Sequence, residues 1–292
     1  MTLAGWSPLQ AARERRVPRA PLFVDGREVG AVARGHLPVL AAWPQWLDVA
    51  DGAVTLLAPR PERDDALAVM NHALRAQGLV QAWRDEAFAL FDPATGEELA
   101  TMERAATRFW GTLTLGAHAT GFVRDGDGRV ARLWIAQRSP HKATDPGLFD
   151  NLVGGGVPAG QSAHEALLRE GFEEAGLDRA EMAAARPAGV LRLHRDLPEG
   201  LQHEFLHAFD LELPPGRVPV NQDGEVAGFT PMRPDEARAC ALSGAMTVDA
   251  ALVTLDFLLR HDLLPRADGP DGAGAVAAAL AALRVPPAGE GR

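Results

Sequence analysis

The chain has 292 residues, of which 47% are hydrophobic, enough to bury one large core or two smaller ones. Its formal charge of −10 argues against a protein that binds the phosphate backbone of nucleic acids. Cys240 is the single cysteine, which excludes an internal disulfide and a thiolate metal cluster, and its neighbours predict a core position. Arginines interrupt the first 19 residues, so we expect neither a signal peptide nor a membrane span, and a cytoplasmic protein.

The first hundred residues predict a small α+β unit. "LFVDGREVGAV" predicts a hairpin around Asp25-Gly26, "ERDDALAVMNHALRAQG" predicts a helix, and "AFALFDPATGEELATM" predicts a second hairpin. The tail is rich in Ala, Gly and Pro and predicts a short helix on a loose linker. We therefore expect a small α+β N-terminal domain (1–108), a central domain (109–265) and a C-terminal tail (266–292).

The central domain predicts strands and helices in mixed order. Residues 119–139 contain two apolar runs separated by "DGDG", which is typical of a hairpin. "GLFDNLVGGG" predicts a short strand, and "LQHEFLHAFDLEL" and "EVAGFTPM" predict two more. "PDEARACALSG" and "VDAALVTLDFLLRH" predict helices. The expected architecture is an α/β/α sandwich, with a mixed sheet between helices, preceded by the small α+β domain.

An acidic helix follows a run of glycines in "GGGVPAGQSAHEALLREGFEEAGL", residues 154–177. Ser162 followed three residues later by Glu165 predicts a capping box, and Gly176 predicts a glycine C-cap, so the helix should run over 163–175. Helical periodicity predicts one apolar face and a separate acidic face. The apolar face is expected to comprise Leu167, Leu168, Gly171, Phe172 and Ala175.

The acidic face crowds three carboxylates together. Glu170, Glu173 and Glu174 are related by i,i+3 and i,i+4 spacings, so they repel by a few tenths of a kcal/mol per pair. One interpretation is a solvated face partly neutralised by Arg169, and the other is a set of ligands for a divalent cation. The preceding glycines favour the second, because they allow positive φ and close approach of the backbone to a neighbour. They are Gly154, Gly155, Gly156 and Gly160.

These residues resemble the Nudix box, G-x5-E-x7-R-E-U-x-E-E-x-G-U, where U is bulky and apolar. Seven of nine fixed positions agree over 23 residues, beginning at Gly155 and ending at Leu177. Gln161 replaces a glutamate and removes a peripheral carboxylate. Gly171 replaces the bulky residue and costs about 1 kcal/mol of helix propensity unless another element packs closely there. The resemblance, over roughly residues 112–262, implies a Nudix fold and hydrolysis of a diphosphate linkage.

The resemblance also implies a metal cofactor, Mg²⁺ or Mn²⁺, which are hard cations that prefer oxygen ligands. Arg169 is then expected to hold the carboxylates in place. The general base stays open between Glu170, the first choice, and Glu225 in "NQDGEVAGF", which is otherwise a plain turn residue. Glu204, on a predicted strand, is expected to be structural or exposed. The implied metal ligands are the Gly155 carbonyl, Glu170, Glu173 and Glu174.

Substrate phosphate needs cationic donors, and the loop before the box offers candidates. Arg138 and Lys142 flank "SPH", and Lys142 is the single lysine of the chain. With His141 they form a candidate diphosphate clamp, with a solvated loop as the alternative. His118 and Trp110 are expected in the core or at a sheet edge, and Trp110 is a weak candidate for ring stacking.

Other segments resemble a Nudix branch related to the hydrolase half of fungal thiamine pyrophosphokinase fusions, which has its own N-terminal domain. They are "GFVRDGDG", "AQRSPHKATDPGLFDNLVGGGVPAG", "FDLELP" and "DGEVAGF". This resemblance implies removal of the terminal phosphate of thiamine diphosphate or its oxidised analogues, giving the monophosphate. The expected partner is a small-molecule diphosphate, with no nucleic acid and no membrane, and a homodimer is compatible with the family.

Three alternatives accompany this function. The chain could be a non-catalytic Nudix module that binds or senses a ligand, or a hydrolase of nucleoside diphosphate derivatives such as ADP-ribose or NADH. An isomerase of the isopentenyl diphosphate type shares the fold but requires a cysteine near the substrate carbon. Because Cys240 lies late in the chain and in a predicted core position, the sequence does not support that reaction.

Overall fold

The computed structural model describes residues 7–266, 269 and 272–286. The first part of the chain forms short strands and helices in alternation. In chain order these are α1 (Pro8–Ala11), β1 (Arg19–Val24), β2 (Arg27–Ala33), α2 (Leu37–Leu40), β3 (Leu47–Ala50), β4 (Ala53–Leu56), α3 (Arg63–Ala76), β5 (Ala87–Phe91), β6 (Glu98–Glu103) and α4 (Arg104–Trp110).

Two sheets and a helix build the N-terminal part. One sheet has the strand order β2-β1-β4-β3, and β5 pairs with β6 in a separate ladder. Both predicted hairpins and the predicted helix, α3, are confirmed. Sequence analysis missed the β3–β4 hairpin, although its turn is an Asp51-Gly52 pair in which both residues have positive φ. The buried core between these elements includes Met70, Leu90 and Trp110.

The second part of the chain contributes the larger sheet and its flanking helices. In chain order these are β7 (Leu113–Arg124), β8 (Val130–Arg138), β9 (Phe149–Asp150), β10 (Val153–Gly156), α5 (Ala163–Ala175), α6 (Arg179–Met182), β11 (Arg186–Leu197), β12 (Gly200–Glu212), β13 (Val226–Met232), α7 (Pro234–Leu242), α8 (Val248–Arg260) and α9 (Ala273–Ala281).

The larger sheet has the strand order β11-β12-β7-β8-β13, with β10 paired to β7 and β9 paired to β8. The sheet is mixed, because β12 and β7 run parallel while the other pairs run antiparallel. One face packs on α5 and α6, and the other on α7 and α8. The predicted sandwich with a mixed sheet is thus confirmed, while β11 had not been predicted.

Both ends of the described chain pack on α8. Leu9 and Ala12 at the start, and Val276 and Leu280 on α9, belong to the same buried core as Phe257 of α8. The short helix predicted in the tail therefore exists, as α9, and it is anchored in a core. Helix α4 runs across the predicted boundary at residue 108, and the division into domains stays a prediction. Within the described ranges, no helix combines the length and apolar character needed to cross a membrane.

Candidate functional site

The glycine strand β10 lies against the middle of β7. Gly154, Gly155 and Gly156 pair with His118, Ala117 and Gly116. The expectation of positive φ is wrong for these three glycines, since only Gly160 in the following loop has it, at +76°. The expectation of close approach is confirmed. A Cβ at Gly155 would lie 2.7 Å from Oε1 of Glu170, so the absent side chain makes room for a box carboxylate.

Helix α5 begins and ends where the sequence predicts. Ser162 and Glu165 form the reciprocal capping box, and Gly176 ends the helix in the left-handed region with φ +62°. A Cβ on Gly171 would lie 2.6 Å from Cγ of Met182, so α6 supplies the close packing that makes glycine tolerable at this position. The helix packs across β10 and β7, which fixes its acidic residues above the glycine strand.

The predicted division of α5 into two faces is wrong at two positions. Phe172 is 57% exposed, whereas Glu174 is 5% exposed. The physical reason is the helical period: Glu174 lies seven residues after Leu167 and three after Gly171, so it faces the sheet with them. Burial of this carboxylate is offset by the Gly154 backbone N–H, which donates to Glu174 Oε2 at 3.0 Å.

The sequence-predicted site residues lie around one pocket with about 740 Å³ of empty space. The pocket is almost entirely polar, and it opens between the glycine strand, α5 and the loops before β9 and β13. Eight predicted residues line it: Arg138, Lys142, Gly155, Arg169, Glu170, Glu173, Glu174 and Glu225.

Arg169 neutralises the exposed side of the carboxylate cluster. Its guanidinium donates to Glu170 Oε1 and to Glu173 Oε2, each at 2.8 Å. Its Nε is buried and has no hydrogen-bond partner. Arg169 therefore bridges the two carboxylates with one cation.

Lys142 neutralises the buried side of the carboxylate cluster. Its Nζ lies 2.5 Å from Glu225 Oε2 and 3.4 Å from Glu174 Oε1, and its side chain is 9% exposed. This cluster joins three segments of the chain that are far apart in sequence. Glu225, the outside candidate for the base, is therefore at the pocket and bound to the same cation as a box glutamate.

The pocket shifts the pKa values of its carboxyl groups in different directions. Burial raises the pKa of Glu174 to about 8, against the attraction of Lys142. Burial also raises the pKa of Glu170, against the attraction of Arg169. Burial also acts to raise the pKa of Glu225, but the hydrogen bond and charge of Lys142, together with the charges of Arg84 and Arg104, outweigh it, and the pKa is lowered. The pKa values of the two candidate bases are therefore shifted in opposite directions.

Comparison with known proteins gives the family. Residues 114–253 match the NUDIX domain family, and residues 6–114 match a family described as a domain of unknown function, DUF4743. Nudix hydrolase 24, chloroplastic, of Arabidopsis thaliana is 32% identical over 252 residues, covering 84% of this chain and 68% of that protein. The chain belongs to the Nudix hydrolase family.

Other relatives differ more in length. Nudix hydrolase 20, chloroplastic, also of Arabidopsis thaliana, is 35% identical over 76% of this chain, which spans 60% of that relative's length. Among solved structures, DR0079 from Deinococcus radiodurans is 25% identical, with a TM-score of 0.44, covering 57% of this chain and 97% of that one. The two family matches meet at residue 114, just after α4.

The Nudix pocket has the donor chemistry of a cation site, but its carboxylates are bound to side-chain cations. Among the residues that the structure describes, no three acidic, histidine or cysteine side chains stand close enough together to hold a metal ion. Arg169 takes one oxygen each of Glu170 and Glu173, and Lys142 contacts one oxygen of Glu174. The donor set of carboxylates and backbone carbonyl fits a hard divalent cation.

Arg138 is engaged within the protein. Its guanidinium donates to Asp150 Oδ2 at 2.8 Å and to the backbone carbonyls of Thr144 and Asp145 at 2.9 and 3.1 Å. Its side chain is 12% exposed. These contacts shape the loop over 139–148 that carries Lys142, and substrate binding by Arg138 stays a prediction.

The remaining candidates have mainly structural surroundings. Trp110 is fully buried and donates to Asn71 Oδ1 at 2.7 Å, which confirms its core position and removes it from the stacking candidates. His118 is buried, with Nδ1 3.0 Å from Asn151 Oδ1. Cys240 is partly buried against the core of α8, and burial raises its pKa to about 11. Glu204 lines a neighbouring cleft rather than the Nudix pocket.

Sequence reasoning missed several residues of the Nudix pocket. Asp223 lies two residues before Glu225 in "NQDGE", and this spacing could have suggested it. Arg84, Glu86 and Arg104 come from the N-terminal part, and no local pattern connects them with the box. They are found only because β5 and α4 pack beside β10.

Proposed function

We propose that this protein is a metal-dependent Nudix hydrolase that cleaves the diphosphate linkage of a small organic diphosphate. One observation carries the proposal. Five glutamates, Arg169 and Lys142 line a single polar pocket above a glycine strand. Such a concentration of carboxylates is costly unless it binds cations, and the family supports diphosphate hydrolysis as its use.

We propose Mg²⁺ or Mn²⁺ as the cofactor. The groups that would hold it are the Gly155 carbonyl and the box carboxylates of Glu170, Glu173 and Glu174. When bound, the cation would neutralise phosphate oxygens and lower the pKa of a water molecule. Binding requires Lys142 to release Glu174, after which Lys142 can turn towards the phosphates of the substrate, while Arg169 keeps its hydrogen bonds to one oxygen each of Glu170 and Glu173.

The chain's own residues would supply the proton transfer and the positioning. Glu170, whose pKa is raised by burial, is our first choice for accepting a proton from the attacking water. Glu225 is the second choice, because its ion pair with Lys142 lowers its basicity. Arg169 positions Glu170 and Glu173 through its two hydrogen bonds. Lys142 and Arg138 are proposed to bind the substrate phosphates.

For the organic group we propose thiamine diphosphate or its oxidised analogues, converted to the monophosphate. The support is the sequence resemblance to the branch related to fungal thiamine pyrophosphokinase fusions. Nucleoside diphosphate derivatives such as ADP-ribose and NADH are the competing substrates. We further propose that the protein acts in the cytoplasm and without nucleic acid, and that it can form a homodimer; the two Arabidopsis relatives carry the word chloroplastic in their names.

A second candidate function is a Nudix module that binds or senses a ligand without turnover. The observation that favours it is the pairing of box carboxylates with Arg169 and Lys142, together with Gln161 at a glutamate position of the box. The intact core of Arg169, Glu170, Glu173 and Glu174 favours the hydrolase.

The test is product formation from a panel of diphosphates with Mg²⁺, Mn²⁺ or EDTA. The panel contains thiamine diphosphate, its oxidised analogues, ADP-ribose, NADH, dinucleoside polyphosphates and nucleoside diphosphates. Metal-dependent phosphate release from the thiamine compounds supports the full proposal. Release of a nucleoside monophosphate would support metal-dependent diphosphate hydrolysis and show that the substrate is a nucleotide rather than a thiamine compound. Saturable binding of a compound without any turnover would support the binding module and overturn the hydrolase.

A further inference from the structure

The N-terminal part of the chain packs directly against the glycine strand of the Nudix pocket. A Cβ at Gly156 would lie 2.6 Å from Cζ of Phe88 on β5 and 3.4 Å from Nη2 of Arg104 on α4. The Ala159 backbone N–H, in the loop after β10, donates to the Ala87 carbonyl at 2.8 Å. The wall of the Nudix pocket on this side is therefore formed by the N-terminal part.

This wall brings two cations to the pocket. Arg104 Nη1 donates to Glu86 Oε2 at 2.8 Å, and its guanidinium lies 5.3 Å from the centroid of the Phe88 ring. Arg84 Nη1 lies 3.7 Å from Glu225 Oε1. The two arginine side chains are 39% and 32% exposed, in contrast to the buried Arg138. Both guanidiniums can accordingly reach an anion that enters the pocket.

A cleft continues from the Nudix pocket along the junction between the two parts of the chain. It has about 700 Å³ of empty space, and Arg84, Arg104 and Thr144 line both the cleft and the pocket. The N-terminal part contributes the ring of Phe88 to one wall, and β12 contributes the other. A molecule with its phosphates at the box glutamates can thus extend into the cleft without leaving the protein surface.

The wall formed by β12 offers hydrogen-bond acceptors in fixed positions. The side-chain amide of Gln202 donates to Glu204 Oε2 at 2.8 Å and to Asp249 at 3.1 Å, while its carbonyl oxygen accepts from Arg195 Nε at 2.7 Å. Gly116 leaves the space that Glu204 occupies, because a Cβ there would overlap Oε1 of Glu204. Nearby Arg108 is paired with Glu199 at 2.6 Å, and burial together with the charge of Asp249 raises the pKa of Glu204.

We propose that the organic group of the diphosphate substrate binds in this cleft, with Arg84 and Arg104 of the N-terminal part contacting its phosphates. The hydrogen-bond acceptors on the β12 wall suit a nitrogen heterocycle that carries N–H donors. Glu204 is the acceptor. The proposal rests on the proposed diphosphatase function, and it gives the DUF4743 region one wall of the substrate site.

The first test is steady-state kinetics of Arg104→Ala and Arg84→Ala with the best substrate of the panel. Loss of one charge-assisted contact should raise KM by about tenfold, while kcat changes by less than about threefold. Arg60→Ala is the matched control, since Arg60 pairs with Glu97 in the N-terminal part and does not line the pocket or the cleft. Unchanged KM in both variants would overturn the proposal. Thermal melting checks folding, and Arg84→Ala carries the test if Arg104→Ala does not fold.

A binding experiment separates this proposal from the proposed function. Methylene diphosphonate, which cannot be hydrolysed at its bridge, is titrated by calorimetry into the full chain with Mg²⁺. If Arg104→Ala binds methylene diphosphonate more weakly than Arg60→Ala does, the contact of Arg104 with the phosphates is supported, even if wild type hydrolyses none of the panel. Normal turnover of a substrate with unchanged KM and unchanged probe affinity in the arginine variants would overturn the cleft and leave the hydrolase standing.

A third variant tests whether Glu204 accepts a hydrogen bond from the heterocycle of the substrate. Glu204→Gln keeps the shape of the side chain and replaces one carboxyl oxygen with an amide donor, so it should raise KM by about tenfold for a donor-bearing heterocyclic diphosphate. It should leave the affinity for methylene diphosphonate within about twofold, because that probe has no organic group. Equal KM values for wild type and Glu204→Gln would contradict the assignment of Glu204 as an acceptor.

Discussion

Two cation–carboxylate clusters meet in the Nudix pocket, and they are built in different ways. Arg169 pairs with Glu170 and Glu173 within a single helix, where the spacing of the residues already brings the groups together. Lys142 pairs with Glu174 and Glu225, and this cluster exists only when three distant segments fold together. The first cluster is partly exposed, whereas Lys142 and Glu174 are almost completely buried.

The difference between the two clusters shows how the pocket compensates its carboxylates. Glu173 is 40% exposed and therefore partly solvated, so its pair with Arg169 contributes little to stability and mainly fixes geometry. Buried Glu174 depends on Lys142 and the Gly154 N–H for nearly all of its compensation. We expect substitutions in the buried cluster to change folding, and those in the exposed cluster to change mainly chemistry.

The largest expected effect is on turnover. Glu173→Gln and Glu174→Gln each remove a proposed metal ligand, and we expect kcat to fall by about 10²- to 10³-fold at saturating Mg²⁺. Phosphate release is the measurement. Glu212→Gln is the matched control, because Glu212 pairs with Arg124 at an exposed position and does not line the pocket. Undiminished rates in both box variants would show that the site is assigned wrongly.

The next effect compares the two clusters directly through the free energy of unfolding. Lys142→Met should cost about 2 kcal/mol, because it leaves Glu174 and Glu225 without their shared cation. Arg169→Met should cost less than about 1 kcal/mol, because water can solvate much of its cluster. Denaturant unfolding without metal measures both. Equal costs would contradict the distinction between a buried and an exposed cluster.

The pH dependence of stability tests the protonation state of Glu174. Burial raises its pKa in the folded state to about 8, so between the ordinary carboxyl pKa and about 8 the folded state holds a proton that the unfolded state has released. Stability therefore falls as pH rises through this window, by up to about 1.4 kcal/mol per pH unit. Unfolding is measured in EDTA between pH 6.5 and 8, where His194 and His203, whose pKa values burial lowers, are neutral in the folded state.

Glu174→Gln serves as the reference for that slope. Subtracting its free energy of unfolding from that of wild type isolates the carboxyl group from all other titrating groups. The difference should become less favourable to wild type as pH rises. A difference that does not change with pH would mean that Glu174 is ionised in the folded protein throughout the window.

The smallest expected effect concerns the corrected face of α5. Phe172→Ser should change the free energy of unfolding by less than about 0.5 kcal/mol, because Phe172 is exposed. Leu167→Ala, on the buried face, should cost about 2 to 5 kcal/mol. Thermal or denaturant unfolding of the two variants distinguishes them. A large loss in the free energy of unfolding for Phe172→Ser would indicate that Phe172 belongs to the buried face of α5, as the sequence predicted.

Local features were predictable because local physics fixes them. The bounds of α5 follow from Ser162, Glu165 and Gly176, and the box residues meet because their spacing places them on adjacent turns. The turn at Asp51-Gly52 had a readable signal that was overlooked. The face of Glu174 was also within reach, since its distance from Leu167 in sequence is two helical turns.

Non-local features were not predictable from one sequence. The pairing of Lys142 with Glu174 depends on the path of the loop over 139–148, which Arg138 and Asp150 shape. Arg84 and Arg104 reach the pocket because β5 packs beside Gly156, and nothing in their own neighbourhood indicates it. The sequence thus predicts the residues of the box and leaves open what surrounds them.

The most direct test of the central claim is a titration of the chain with Mn²⁺, with the free ion followed by electron paramagnetic resonance. The account predicts that wild type removes the signal of free Mn²⁺ in a saturable way. It also predicts that a variant carrying both Glu173→Gln and Glu174→Gln leaves most of the ion free. Equal binding by the two proteins, or no binding by wild type, would contradict the claim that the crowded glutamates hold a metal.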